Sequence, residues 1–210
     1  MELRLILENI VSSRKIHGRW LNTLSFLEYI GTRKILKSLP ANILDETLLS
    51  HVAEEAFHSL FFKKLARKLT VNNYSFKEEE MLAPEECENY FQQLDKKAEL
   101  ISNEKPDLNY LYTTWIVETR AVSVYSLYNK ILKEKQFSFT LNPILKDEEK
   151  HLAQVKNCIQ QMDSRHEIHF QELMGFEEQE FSVLLEHLKK TVFQKTEISS
   201  RTASTLGSYT

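Results

Sequence analysis

The chain has 210 residues, 42% of them apolar and 27% charged, with a net charge of -3. Its 12 Phe, 8 Tyr and 2 Trp are enough to fill the core of one medium domain, and 4 Gly with 4 Pro leave too few turn formers for an all-β fold. The acidic balance gives no support to a general nucleic-acid binder or a polybasic membrane ligand.

Two cysteines, Cys87 and Cys158, exclude a disulfide framework and a cysteine-based zinc or iron–sulfur site. They are expected as reduced thiols in a cytoplasmic protein. The start, Met1 to Glu8, carries acids within its apolar run and no small-residue cleavage site, so it is not expected to act as a secretory signal. No stretch reaches the roughly 18 uncharged apolar residues of a membrane-spanning helix.

The apolar period predicts a first long helix over about 8–38, with Trp20, Leu21, Leu24, Leu27, Ile30 and Ile35 on its inner stripe. A second runs over about 43–69, with Leu44, Leu48, Val52, Phe57, Phe61, Phe62 and Leu65, and stops at the cluster from Thr70 to Ser75. Residues 76–103 form a connection with a shorter helix opening at Pro84, a favoured first-turn residue. A third long helix follows Pro106 over about 107–133. Asn142-Pro143 opens a fourth, which reaches about Met162. A fifth is expected over about 176–193, after a break at Gly175. The Ser/Thr-rich stretch 196–210 reads as a loose tail, so the domain is expected over 1–195. Four long helices in two hairpins, joined by one long link, suggest an all-α four-helix bundle with a crossover and an extra C-terminal helix.

Each long helix carries a carboxylate inside its apolar stripe: Glu28, Glu55, Glu118 and Glu148. Glu55 is followed three residues later by His58, and Glu148 by His151. A residue three positions on lies on the same helical face, so each Glu-x-x-His pair aims two side chains at one place. Glu28 and Glu55 stand 27 residues apart, and Glu118 and Glu148 stand 30 apart. Either gap fits a hairpin that brings both acids to one height. Buried, uncompensated carboxylates are strongly unfavourable. Two divalent cations would neutralise four of them, and oxygen donors with two imidazoles suit iron or manganese better than a closed zinc site.

This pattern, a lone Glu, a hairpin and Glu-x-x-His, occurring twice, resembles the ferritin-like di-iron carboxylate proteins over roughly residues 8–162. The resemblance implies the crossover bundle and a ligand set of Glu28, Glu55, His58, Glu118, Glu148 and His151 around two Fe ions, with Mn or a mixed pair as variants. Asp147-Glu148-Glu149-Lys150-His151 looks like the Asp-Glu-x-Arg-His motif of bacterial di-iron oxygenases, with Lys150 in place of arginine. There the aspartate orients a ligand histidine across the site. Asp147 is expected in that role, and Glu54, which precedes the other motif, in a similar one.

Other residues read more plainly. His17, His166, His169 and His187 lack a partner pattern and are expected in packing or at the surface. Asp163-x-x-His166 falls past the end of the fourth helix. His51, one turn before Glu55, is a candidate neighbour of the site. Arg120 could pair with Glu54 or Asp147, or face solvent. Trp115, Tyr125, Tyr29 and Tyr112 are expected as aromatic core, with a pocket or radical role as the alternative.

The function expected from this resemblance is an O2-dependent oxidase or oxygenase acting on a small or apolar organic substrate. It is similar to aldehyde-deformylating oxygenases, ribonucleotide reductase small subunits and bacterial monooxygenases. Electrons would come from an external reductase, because the cysteine-rich iron module of rubrerythrin-type relatives is missing. Glu118-Thr119-Arg120 looks a little like the tRNA-modifying hydroxylases of the same superfamily. The alternatives are a ferroxidase or iron-handling protein, a manganese catalase, and a non-catalytic binding module that keeps a metal for stability. A homodimer is the default assembly.

Overall fold

The computed structural model of the chain describes residues 2–38, 45–103 and 105–206, with side chains as far as Phe193. It is helical throughout, with no strand among the described residues. Among the described residues the helices are α1 (Glu2–Ser12), α2 (Arg14–Ser38), α3 (Glu46–Thr70), α4 (Pro84–Ile101), α5 (Pro106–Glu134), α6 (Asn142–Met162) and α7 (His166–Leu206), and a 3-10 turn spans Glu78–Glu80. No described helix is long and apolar enough to cross a membrane.

Several boundaries differ from the sequence reading. The expected first helix is two helices, α1 and α2, divided at Ser13, whose hydroxyl accepts from the Ile16 N–H at 3.4 Å as a capping residue does. Asn142, expected as a cap, lies inside α6 with Pro143 in the first turn. Gly175 does not end a helix: α7 runs through it from His166, and a Cβ there would meet nothing within 4 Å. Glycine inside a helix costs only about 0.5–1 kcal/mol, too little to break one held by packing on both sides. The backbone is helical to Leu206, so the expected loose tail is helix over 196–206, and 207–210 lie outside the described residues. Leu44 also falls outside them. Phe57, expected on the inner stripe of the second helix, is 53% exposed, because α3 turns His51, Glu55 and His58 inward instead.

Four helices close a ring in which each runs antiparallel to both neighbours. Between α2 and α3, the hydroxyls of Ser25 and Ser59 each donate to the other's carbonyl at 2.7 Å, and Lys63 Nζ donates to Asn22 at 2.5 Å. Between α3 and α6, His58 faces Asp147 and Glu54 faces His151. Between α6 and α5, Asn129 donates to Asn142 at one end, and Tyr112 donates to Asp163, just past α6, at the other. Between α5 and α2, Tyr128 meets His17 and Tyr125 meets Glu28. In every pair, rising numbers on one helix match falling numbers on the other.

The link from α3 to α4 is tied back along α2. Asn22 donates to the carbonyls of Ser75 and Glu80 at 2.7 and 2.9 Å, Thr23 Oγ1 accepts from the Leu82 N–H at 2.7 Å, and Arg19 donates to the Met81 carbonyl. These buried polar side chains satisfy loop backbone that would otherwise be orphaned beside the core. Helix α4 then packs against α5 and α7, and α1 against α2, α5 and α7. Helix α5 is central: Tyr112, Ile116, Tyr128, Ile131 and Leu132 are fully buried, each large apolar side chain contributing roughly 1.5–3 kcal/mol. Trp115 stacks on Phe170 of α7 with ring centroids 3.9 Å apart.

Candidate metal centre

The ring of helices brings all six expected ligands together. Glu28 comes from α2, Glu55 and His58 from α3, Glu118 from α5, and Glu148 and His151 from α6. All are buried, between 0% and 7% exposed. A seventh residue, His51 of α3, joins them. Positions 51, 55 and 58 lie one above another on a single face of α3.

The donors fall into two groups: His51, Glu55, Glu118 and His151 in one, and Glu28, Glu55, His58 and Glu148 in the other. Within each group every donor atom lies within 4.8 Å of the rest, and Glu55 belongs to both. In the first group, His51 Nε2 is 3.1 Å from Glu55 Oε1 and 3.2 Å from Glu118 Oε1, and His151 Nδ1 is 3.8 and 3.7 Å from the same two oxygens. In the second, His58 Nδ1 is 3.2 Å from Glu148 and 3.9 Å from Glu28. Donors about 2.1 Å from one cation stand about 3.0 Å apart at a right angle and about 3.4 Å apart in a tetrahedron. Both groups are therefore close to the spacing that a shared ion demands.

Two histidines are held from outside by acids of the opposite helix. His58 Nε2 of α3 is 3.2 Å from Asp147 of α6, while His151 Nε2 of α6 is 2.5 Å from Glu54 of α3, which also takes Lys150 Nζ at 2.9 Å. Each acid that precedes one Glu-x-x-His thus holds the histidine of the other. The outward nitrogen of each ring is occupied and Nδ1 is aimed at the acids, the arrangement that fixes a ligand tautomer. Yet Nδ1 of His58, Nδ1 of His151 and both Glu118 oxygens are fully buried without a hydrogen bond of acceptable geometry, His51 Nε2 being the near neighbour of Glu118. Buried polar atoms left so are rare in native proteins, and four converging in one place fit a cation-binding role.

Electrostatics gives the same account. Burial, with the charges of Glu55 and Glu148, holds the Glu28 carboxyl well above its ordinary range. Burial raises Glu118 to about 8 against the opposing contact with His51, and raises Glu148 as well. Glu55 is lowered despite its burial, through its hydrogen bond and charge interaction with His51. Burial opposes protonation of His51 and His58, but contacts with Glu118 and Glu55 lift His51 to about 10, and Glu148 lifts His58 to about 9. The raised carboxyls and raised imidazoles both mark negative charge crowded together without a compensating cation, and two divalent ions would supply that compensation.

Helix α2 makes room for the centre with Gly31. A Cβ there would stand 3.2 Å from Glu55 Oε2, so a larger residue presses on the carboxylate shared by both groups. Tyr125 donates to Glu28. A cavity of about 250 Å³ meets the cluster on the side of Glu28, His51, Glu55, Glu118 and Glu148, and its other walls are largely apolar, with Leu24, Leu27, Val117, Ala121, Val124 and Leu188. His58 and His151 are not in its lining.

The remaining sequence candidates lie elsewhere. Arg120 pairs with neither Glu54 nor Asp147; its Nε and Nη2 donate to Glu177 of α7 at 2.7 and 2.5 Å, and Tyr90 donates to the same buried carboxylate at 2.5 Å. His17 is buried against Tyr128, Phe137 and Phe139. His169 and Tyr112 both bind Asp163, whose carbonyl faces His166. His187 pairs with Glu86 at 3.0 Å, and Tyr29 is 38% exposed beside Phe76. Gly31 and Tyr110 had no sequence signal, and His51 had only its spacing from Glu55. No protein-family model, curated protein or solved structure matches the chain, so the reading of this centre rests on its own geometry.

Proposed function

We propose that the chain is a ferritin-like di-iron oxidase or oxygenase, with Mn or a mixed Fe/Mn pair as variants, that uses dioxygen to modify a small or apolar organic substrate. One observation carries this reading: an apolar cavity opens directly onto two donor groups that share Glu55. Ions of this kind supply the reduction of dioxygen, chemistry that side chains alone do not provide.

The protein's own share is placement and exclusion of water. Glu54 and Asp147 hold His151 and His58 with Nδ1 inward, and Tyr125 fixes the Glu28 carboxylate. Leu24, Val117, Ala121 and Val124 offer a substrate apolar contact beside the acids. With only two cysteines in the chain, electrons would come from a separate reductase.

The test is anaerobic reconstitution with Fe²⁺, metal analysis, and oxygen uptake with a chemical reductant and medium-chain alkanes, alcohols or aldehydes. Uptake that requires both reductant and organic substrate, and that falls when Ala121→Trp fills the cavity, supports the oxygenase. Uptake driven by iron alone, far beyond what the centre can hold, would make the protein an iron-handling one. Less than one ion per chain would leave a binding module.

A further inference from the structure

We infer that His51 is a seventh ligand of this centre and makes its two cation positions chemically unequal. One position then has two imidazoles, His51 and His151, with Glu118 and the shared Glu55; the other has one imidazole, His58, with Glu28, Glu148 and Glu55. This rests on the dinuclear reading above and adds to it a residue outside both Glu-x-x-His motifs.

His51 is built as the other two histidines are. Its outward nitrogen, Nδ1, is 2.9 Å from the Tyr110 hydroxyl, a neutral partner where His58 and His151 have carboxylates. Its inward nitrogen, Nε2, reaches Glu55 and Glu118 more closely than His151 Nδ1 does. The rings of His51 and His151 lie with centroids 4.0 Å apart, and both face Glu118. The inward nitrogen is Nε2 in His51 and Nδ1 in His58 and His151, each ring turned by the partner of its other nitrogen: Tyr110 for His51, Asp147 for His58 and Glu54 for His151. His51 also lines the apolar cavity, so the nitrogen-rich position is the one whose imidazole faces an incoming substrate. Nitrogen donors favour the later divalent metals and carboxylates the earlier, harder ones. A mixed supply of Mn²⁺ and Fe²⁺ should therefore sort, with iron beside His51 and manganese beside His58.

The alternative role for His51 is a fixed imidazolium that neutralises Glu55 and Glu118. The two roles predict opposite signs. A ligand, once removed, weakens binding; a competing cation, once removed, strengthens it.

The experiment titrates metal-free protein anaerobically with Co²⁺, followed by calorimetry and visible absorption, for wild type, His51→Ala and Tyr110→Phe. Wild type should show two unequal steps. His51→Ala should lose at least about tenfold in one step and keep the other, and Tyr110→Phe, which leaves the imidazole in place, should weaken the same step by less. Anomalous diffraction from crystals grown with Mn²⁺ and Fe²⁺ together should place an ion within about 2.3 Å of His51 Nε2, with iron enriched there. Tighter or unchanged binding in His51→Ala, or an ion that leaves Nε2 beyond bonding distance, overturns the inference while the dinuclear centre stands. Failure of wild type to bind two ions overturns both.

Discussion

Because the donors form two groups that meet only at Glu55, removing one acid should have a graded effect on metal-linked stability. An ion that binds only the native state at 100 times its dissociation constant adds about 2.7 kcal/mol, so two positions add roughly 5 kcal/mol. For a chain of this size about 2–4 °C follows each kcal/mol, which makes the expected rise in Tm roughly 10–20 °C. Glu118→Ala disables one group and leaves Glu28, Glu55, His58 and Glu148, so about half of the rise should survive. Glu55→Ala touches both groups and should reduce the rise to near zero. His187→Ala, which alters only the pair with Glu86 at 43% side-chain exposure, should keep all of it. The assay is circular-dichroism melting of chelator-stripped protein with and without anaerobic Fe²⁺ or Mn²⁺. Equal shifts in Glu55→Ala and His187→Ala, or no shift in wild type, would refute the two-group centre.

The acids behind the histidines should matter nearly as much as the ligands. Glu54→Gln and Asp147→Asn should each cost about 10–100-fold in metal affinity while preserving the stoichiometry at saturation, measured by competition with a chromophoric chelator; unchanged affinity would mean that they only solvate the helix face. Gly31→Ala would put a Cβ 3.2 Å from Glu55 Oε2, so the shared carboxylate must shift and metal binding should weaken. A helix-propensity gain of about 0.5–1 kcal/mol offsets the contact in the metal-free protein and leaves its stability within about 1 kcal/mol of wild type. Chemical denaturation and metal titration of the same variant separate these two effects; unchanged metal affinity would refute the role of Gly31. Burial holds His17 down to about 4, below its ordinary 6.5. Between these values the unfolded chain takes up a proton that the native state refuses, so stability falls as pH drops from about 6.5 to about 4, by roughly 3 kcal/mol in full. His17→Gln, which keeps an acceptor for Tyr128 but does not titrate, should lose this part of the slope in urea melts at pH 7 and pH 4.5, and an unchanged slope would assign the acid sensitivity elsewhere.

How far the centre could be read in advance depends on the distance over which each relation acts. Glu55 with His58, and Glu148 with His151, share a face by helical pitch alone, and hairpin lengths bring Glu28 and Glu118 level with them. These are local facts, visible as spacing in the chain, and so is the helical character of nearly every segment. His51 has the same local relation to Glu55, but its use depends on Glu118 and Tyr110 of α5, which arrive only when the helix ring closes. The exchange of Glu54 and Asp147 between α3 and α6 is of this kind, as is the diversion of Arg120 to Glu177 of α7. The passage of α7 through Gly175 likewise reflects packing, which outweighs a propensity difference of about 1 kcal/mol, whereas the division at Ser13 is local, marked by the cap that its hydroxyl places on Ile16. The amino-acid order by itself determined which side chains point the same way along each helix. Which helix each face meets, and hence the cavity beside the acids and the third imidazole, was decided by tertiary packing, because side chains far apart in sequence are brought within reach only by burying apolar surface common to several helices.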